Sequence, residues 1–235
     1  MTDLWVYLAA SPLLWLFATL FAGTLGMFIF ERTGRRQIAN PTLLAVIMLI
    51  TLLLVTQTPY DTYFEGAQFV HFLLGPATVA LAVPLFHNRH IIRRAALPTV
   101  AALLAGSVVA IVSGVVIAQL LGATDEVTMS LAPRSTTTPV AMAIAERIGG
   151  IPSLAAALVS ATGIPGSMLI FPLLARFGLV DDRARGLAIG VTSHGMGTAR
   201  AFQDSQLAGS FAAIGLGLNA LATAALVPLI IPLLR

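Results

Sequence analysis

Lysine and cysteine are both missing from this chain of 235 residues. The lack of cysteine excludes disulfides, thiolate metal sites and cysteine nucleophiles, and it leaves the redox compartment undetermined. Charge of either sign is scarce: 10% of the residues are charged against 57% hydrophobic, and the mean hydropathy is +0.92. A soluble chain of this length needs far more charge to cover its surface. All thirteen basic residues are arginine. The pI near 10.2 does not point to nucleic acid, because most of the arginines sit in short loops between apolar runs and no aromatic strip interleaves with them. No low-complexity tract or flexible linker divides the sequence, so 1–235 reads as a single membrane domain.

Crossing about 30 Å of hydrocarbon takes roughly 20 apolar residues. Six runs qualify as candidates: Leu4–Phe30, Pro41–Thr56, Ala67–Phe86, Ala95–Leu121, Pro152–Phe177 and Leu207–Leu234. The first is too long and too weakly basic at its start for a signal peptide, and is read as a retained span. The expected fold is an all-α polytopic membrane protein of about six spans plus two re-entrant or broken helices. Residues 1–121 supply the N-terminal spans, and 127–235 hold two polar-interrupted segments, each followed by a span.

Arginine asymmetry sets an orientation. Arg32, Arg35 and Arg36 lie in the first loop, Arg89, Arg93 and Arg94 in the third, and Arg176, Arg183 and Arg185 before the second polar segment. The intervening loops carry Asp61 with Glu65 and Asp125 with Glu126, and no arginine. The positive-inside bias puts the arginine loops in the cytoplasm and the N-terminus outside.

The Asp125 loop is then external and the Arg183 loop internal, with two apolar segments between them. One must enter and leave on the same side. Val127–Ile148 is the better candidate, with arms Val127–Ala132 and Val140–Ile148 and a buried tip Pro133-Arg134-Ser135-Thr136-Thr137-Thr138-Pro139. The second segment, Gly186–Gln203, is interrupted by Thr192-Ser193-His194-Gly195-Met196-Gly197-Thr198-Ala199-Arg200. Lipid-exposed irregular backbone is not tolerated at membrane depth, and a charge there costs about 3 kcal/mol or more, so two such segments mark a polar site and a transport pathway. A fixed shift that carries Thr136 onto Ser193 also carries Ser153-Leu154-Ala155-Ala156 onto Ser210-Phe211-Ala212-Ala213. If both polar segments re-enter, the two units form an inverted repeat, a common plan in secondary transporters. A broken but fully spanning helix is the alternative for the second.

Arg134, Ser135, Thr136, Thr137 and Thr138 form the leading candidate site. Pro139 pre-sets the first helical position, Thr138 can cap the helix that follows, and that half-helix would aim its N–H groups inward. Amides, hydroxyls and an arginine fork together suit a small carboxylate. The bland reading is a snorkelling arginine with threonines bonded one turn back. In the second segment Gly195 and Gly197 offer unusual backbone conformations, Ser193 and His194 are candidate substrate contacts, and Arg200 a second charge partner. The alternative there is a structural histidine and an Arg200–Asp204 pair. Asn219 could hold an ion or bond across helices, the latter slightly favoured. His71 reads as a satisfied structural histidine, and His87 and His90 lie among arginines that would repel a metal. Ser193 beside His194 does not make a hydrolase: neighbours on a helix do not face each other, no carboxylate stands nearby, and no Gly-x-Ser-x-Gly or His-Glu-x-x-His motif occurs. Catalysis is not expected, nor is a metal site.

The chain resembles the LrgB/CidB family. The resemblance rests on Pro133–Pro139, Ile148-Gly149-Gly150-Ile151-Pro152-Ser153-Leu154, Arg185-Gly186-Leu187-Ala188-Ile189-Gly190, Ser193–Arg200 and Gly217-Leu218-Asn219. These motifs cover the C-terminal half, and the N-terminal spans fit in number and loop charge. Gly195 departs mildly, standing where alanine is expected in many relatives. The resemblance implies a multi-pass protein of the bacterial cytoplasmic (inner) membrane and two functions. One is holin/antiholin-like modulation of murein hydrolase activity and lysis with a small LrgA/CidA-type membrane partner. The other follows a plastid relative resembling a glycolate/glycerate transporter and bacterial pairs associated with pyruvate movement. The residues favour the second, because a holin has no need of a buried arginine or two inverted polar segments. The expected partners are therefore a small carboxylate, membrane lipid, the LrgA/CidA-type protein and, left open, a second copy of the chain. No acidic residue lies clearly at mid-membrane, so the coupling ion, H+ or Na+, stays open, as does the substrate among glycolate, glycerate and pyruvate.

Overall fold

The computed structural model describes residues 11–34, 39–80 and 82–234, with the side chains of 74, 75 and 78 set aside. The N-terminus, the start of the first expected span (4–10) and Arg35 and Arg36 of the first arginine loop lie outside the described residues. The described chain is all-α, with no strand. It divides into two compact units, residues 1–80 and 81–235.

The first unit holds α1 (Pro12–Arg32), α2 (Pro41–Thr56), α3 (Tyr60–Phe72) and α4 (Leu74–Ala80). Proline opens α1 and α2, where its missing N–H is no loss, and the Asn40 side chain accepts from Leu43 N at 3.1 Å to cap α2. α1 meets α3 at Gly66, where a Cβ would lie 2.7 Å from Leu16 N, and the Trp15 and Tyr63 rings meet edge-on at 6.1 Å.

The second unit holds α5 (Ala82–His87), α6 (Arg89–Arg94), α7 (Ala96–Leu120), α8 (Asp125–Leu131), α9 (Thr138–Ile148), α10 (Pro152–Arg176), α11 (Asp182–Asp204) and α12 (Gln206–Ile230), closed by a 3-10 turn at Ile231–Leu233. Among the described residues, four segments are long and apolar enough to cross a membrane: α1, α7, α10 and Gln206–Leu233. This is a multi-pass membrane protein. Of the other two expected spans, α2 has 16 residues, about 24 Å of helix, and Ala67–Phe86 is not one helix. That stretch falls on α3, α4 and α5. The helix breaks at Leu73, where Pro76 cannot donate to the carbonyl of Phe72 and its ring crowds that carbonyl.

Both polar segments fold back on themselves. The first arm, α8, ends at a tight turn, and α9 returns, so that Ser130 Oγ accepts from Ile151 N at 2.7 Å while donating to Glu126 O. The chain thus returns against the Met129–Ser130 end of α8. The second segment is read as one helix only because its two arms abut. His194 has φ 41° and ψ −128° and folds it into a hairpin. Its two ends are clasped: Arg185 pairs with Asp204 at 3.1 Å, and Ser205 Oγ donates to Asp182 Oδ2 at 2.6 Å. The backbone reversal is carried by His194, and neither Gly195 nor Gly197 has a positive φ. Gly197 instead lets the returning arm pass Ile189, whose carbonyl would collide with a Cβ.

α10 runs from the first hairpin's base to the second hairpin's base, and α12 runs the other way. The two hairpin-plus-span units are therefore inverted. The acidic end is sealed around Met129, packed with Ile111, Val115, Ile144, Val227 and Ile231. Gln119 Nε2 donates to the Leu234 carbonyl there.

Candidate functional site

The two tips meet at Asn219. Its Nδ2 donates to Ser135 O of the first tip at 2.8 Å and to Val191 O, at the end of the second hairpin's first arm, at 3.3 Å. Its Oδ1 accepts from Ser107 Oγ at 2.6 Å and from Thr223 Oγ1 at 3.5 Å. The amide is fully buried and its two donors and two acceptor directions are all used within the protein, which favours one rigid arrangement. Asn219 is a tie between the tips, with no hydrogen-bonding capacity left over.

His194 is likewise committed. Its Nε2 lies 3.1 Å from Val159 O on α10; a carbonyl only accepts, so this nitrogen carries a proton. Its own carbonyl accepts from Thr198 Oγ1 at 2.8 Å. The ring fits because Gly163 leaves room for it, a Cβ there falling 2.5 Å from His194 Cε1. Ser193 Oγ packs against Gly166 and lies 3.4 Å from Thr192 Oγ1. Arg200 lies with its guanidinium 5.3 Å from the Phe171 ring centre, and Asp204, its expected partner in the bland reading, is held by Arg185.

Arg134 occupies a different kind of place. Its Nη1 donates to Ala110 O on α7 at 2.9 Å, in space left by Gly114, where any Cβ would overlap the guanidinium. No carboxylate pairs with it among the described residues. Beside it Ser135 Oγ is buried without a hydrogen-bond partner, as is Thr136 Oγ1. Thr137, not Thr138, sits at the cap position of α9; extended backbone ends there, and its side chain makes no capping bond.

Arg134 and Ser135 wall a cavity of about 490 Å³ with Ala102, Gly106, Val109 and Ala110 of α7, Thr162 of α10, and Ala184, Leu187, Ala188, Val191 and Thr192 of α11. Of the expected site residues, Arg134 and Ser135 line this space. Thr136, Thr137 and Thr138 continue the same tip behind them, Asn219 braces it, and Ser193, His194 and Arg200 are absent from the wall. Thr162 and Thr192 were not singled out from the sequence. The internal repeat carried the signal: the shift that takes Thr136 to Ser193 also takes Ser135 to Thr192 and Thr162 to Asn219. Equivalent residues of the two hairpins thus face one cavity, and equivalent residues of the two spans stand at its wall and behind it.

The sequence profile of the LrgB-like family matches residues 19–233. An uncharacterized protein of Haemophilus influenzae is 33% identical over 221 residues, covering 94% of this chain and 95% of its own length. The Bacillus subtilis protein YwbG, also uncharacterized, is 34% identical over 83% of this chain and 87% of its own. The holin-like protein CidB of Staphylococcus epidermidis is 32% identical over 82% of this chain and 84% of its own. No solved structure matches the chain. Matched across nearly its whole length, the chain belongs to the LrgB-like family.

Proposed function

We propose that this protein carries small monocarboxylates across the bacterial cytoplasmic membrane, binding them between the two hairpin tips. The observation that carries the reading is the Arg134 guanidinium on the wall of one cavity, without a carboxylate partner among the described residues, beside a buried Ser135 hydroxyl that has no hydrogen-bond partner there. A buried polar group left unpaired costs about 1–3 kcal/mol, and an unpaired charge more, unless a ligand completes it. A carboxylate does so with two parallel hydrogen bonds from arginine and one from serine. Inverted hairpins around a central site are the parts an alternating-access carrier needs.

The threonines on the wall bear on the choice of substrate. Thr162 Oγ1 and Thr192 Oγ1 each donate to the carbonyl one turn back, at 2.8 Å. Their hydrogens are engaged, so they offer the cavity acceptors. A hydroxyl on the carbon next to the carboxylate can donate to them and a keto group cannot, which ranks glycolate and glycerate above pyruvate. The arginine end faces the cytoplasm by charge bias, with the N-terminus outside.

A second reading draws on the similarity to CidB, a holin-like protein: modulation of lysis together with an LrgA/CidA-type partner. On the carrier reading lysis effects follow from altered carboxylate flux, and the partner is an accessory of the carrier.

Flux of labelled glycolate, glycerate and pyruvate into proteoliposomes, with and without proton or sodium gradients, tests the proposal. Arg134→Gln should weaken uptake about 30- to 150-fold, matching 2–3 kcal/mol for a charge-assisted contact. Arg134→Lys, which keeps the charge and loses the fork, should be intermediate. A folded Arg134→Gln protein that transports like the parent would rule the site out. Unchanged flux and purification profile without the partner would rule out an obligate complex.

A further inference from the structure

A second cavity, about 330 Å³, adjoins the first at the arginine end. It is lined by Arg94, Pro98 and Thr99 where α6 passes into α7, by Asp181 and Arg183 at the start of α11, and by Phe211 of α12. Ala102, Ala184 and Leu187 belong to both walls, so the two spaces are neighbours across the same three side chains. The opposite end of this unit is packed shut around Met129.

The charges along this path are not balanced alike. Arg183 is tied to Asp181, its Nε donating to both carboxylate oxygens at 3.0 and 3.2 Å, so that pair is close to neutral. Arg94 is exposed and has no acidic partner among the described residues. One unpaired arginine thus stands at the mouth and another, Arg134, at the floor. Between them Ala102, Gly106, Leu187, Ala188 and Val191 give a low-dielectric wall, which focuses the field of the two charges along the path rather than screening it.

We propose that Arg94 is the capture residue of an anion vestibule, drawing small carboxylates from the arginine end toward Arg134; this rests on the carrier reading above. Arg94 acts at a distance, on encounter, whereas Arg134 binds. The two roles predict different losses. Removing Arg94 should depress uptake at low substrate more than at saturation, and the loss should disappear at high salt, where Arg94 is screened in the parent as well.

The absence of cysteine allows a test that involves no transport. Ala102→Cys places one thiol on the shared wall. In phosphatidylcholine vesicles, whose headgroups carry no net charge, its reaction rate with a negatively charged methanethiosulfonate is compared with that of a positively charged one of similar size. The anionic reagent should react faster. Arg94→Gln should lower the anion-to-cation ratio about 3- to 10-fold, and 0.5 M salt should do the same to the parent. Asp181→Asn, which frees Arg183, should raise it. A thiol at 102 that does not react, or a ratio indifferent to Arg94→Gln, overturns the vestibule. Failure of the carrier reading appears separately, as an Arg134→Gln protein with parental flux and an intact ratio at position 102.

Discussion

The guanidinium of Arg134 fills the space that a side chain at Gly114 would take, and from there it reaches the Ala110 carbonyl at 2.9 Å. A glycine on one helix thus sets where the charge on another segment lies. Gly114→Ala should push the flexible arginine tip out of its seat with little effect on the backbone. The expected result is a rise in KM approaching that of Arg134→Gln, with a melting temperature within a few degrees of the parent. A variant that binds substrate normally would show that the seat is not needed.

Asn219 should be among the most sensitive positions in the chain. Asn219→Leu removes the tie between the tips and strands Ser135 O and Val191 O, whereas Ser107 Oγ keeps its bond to the Leu103 carbonyl. At about 1–3 kcal/mol for each buried group left unpaired, with relaxation offsetting part of it, a loss of several kcal/mol is expected. Asn219→Asp keeps the size and the acceptor and loses both donors, and should fall between. Thermal unfolding in detergent reads both, and parental stability in Asn219→Leu would refute the tie.

Arg185 clasps the second hairpin, touching Asp182 at 3.6 Å, Asp204 at 3.1 Å and the face of Phe171 at 4.4 Å. Since its side chain is largely buried, the clasp outweighs a surface ion pair. Arg185→Gln should destabilise the protein by about 1–3 kcal/mol and loosen the return arm. Hydrogen exchange across residues 195–204 should rise by one to two orders of magnitude on those energies. Unchanged protection there would contradict the clasp.

Acid should act late at the vestibule. Arg183 holds the Asp181 carboxyl down at about 2 from an ordinary 3.8, through hydrogen bonds to its side chain and amide. A depressed carboxylate stabilises the fold above its unfolded value and loses that contribution as pH falls through its folded value, here between about 4 and 2. The Asp181–Arg183 pair should therefore stay ionised from pH 4 to 8. The anion-to-cation ratio at position 102 should be flat across that range and rise only below it. A step between pH 5 and 7 would assign the titration to a histidine instead.

Much of the site was readable without coordinates, and the parts that were not share a cause. Pro133 to Pro139 and the run around His194 stood out because proline, glycine and charge inside an apolar segment are local facts. The odd number of crossings demanded by the arginine loops led to the first hairpin, whose arms α8 and α9 match the expected ones closely. The second segment could have spanned or folded back. The His194 backbone reversal and the pairing of Arg185 with Asp204 and of Ser205 with Asp182 distinguish the two, and none of these is visible in hydropathy. Ala67–Phe86 has the apolar length of a span, but Pro76 ends the helix before it, so apolar length alone does not make one span of it.

The sequence by itself determined that this chain lives in a membrane and that it carries two polar interruptions. Those properties follow from transfer free energies and backbone chemistry that each residue brings with it. Tertiary structure decided which polar groups remain available. Asn219 and His194 are consumed by partners 84 and 35 residues away, and Arg200 lies over Phe171, whereas Arg134 and Ser135 are left facing a cavity with Thr162 and Thr192. Whether a buried donor is satisfied depends on what packs against it, and that is fixed only when distant segments meet.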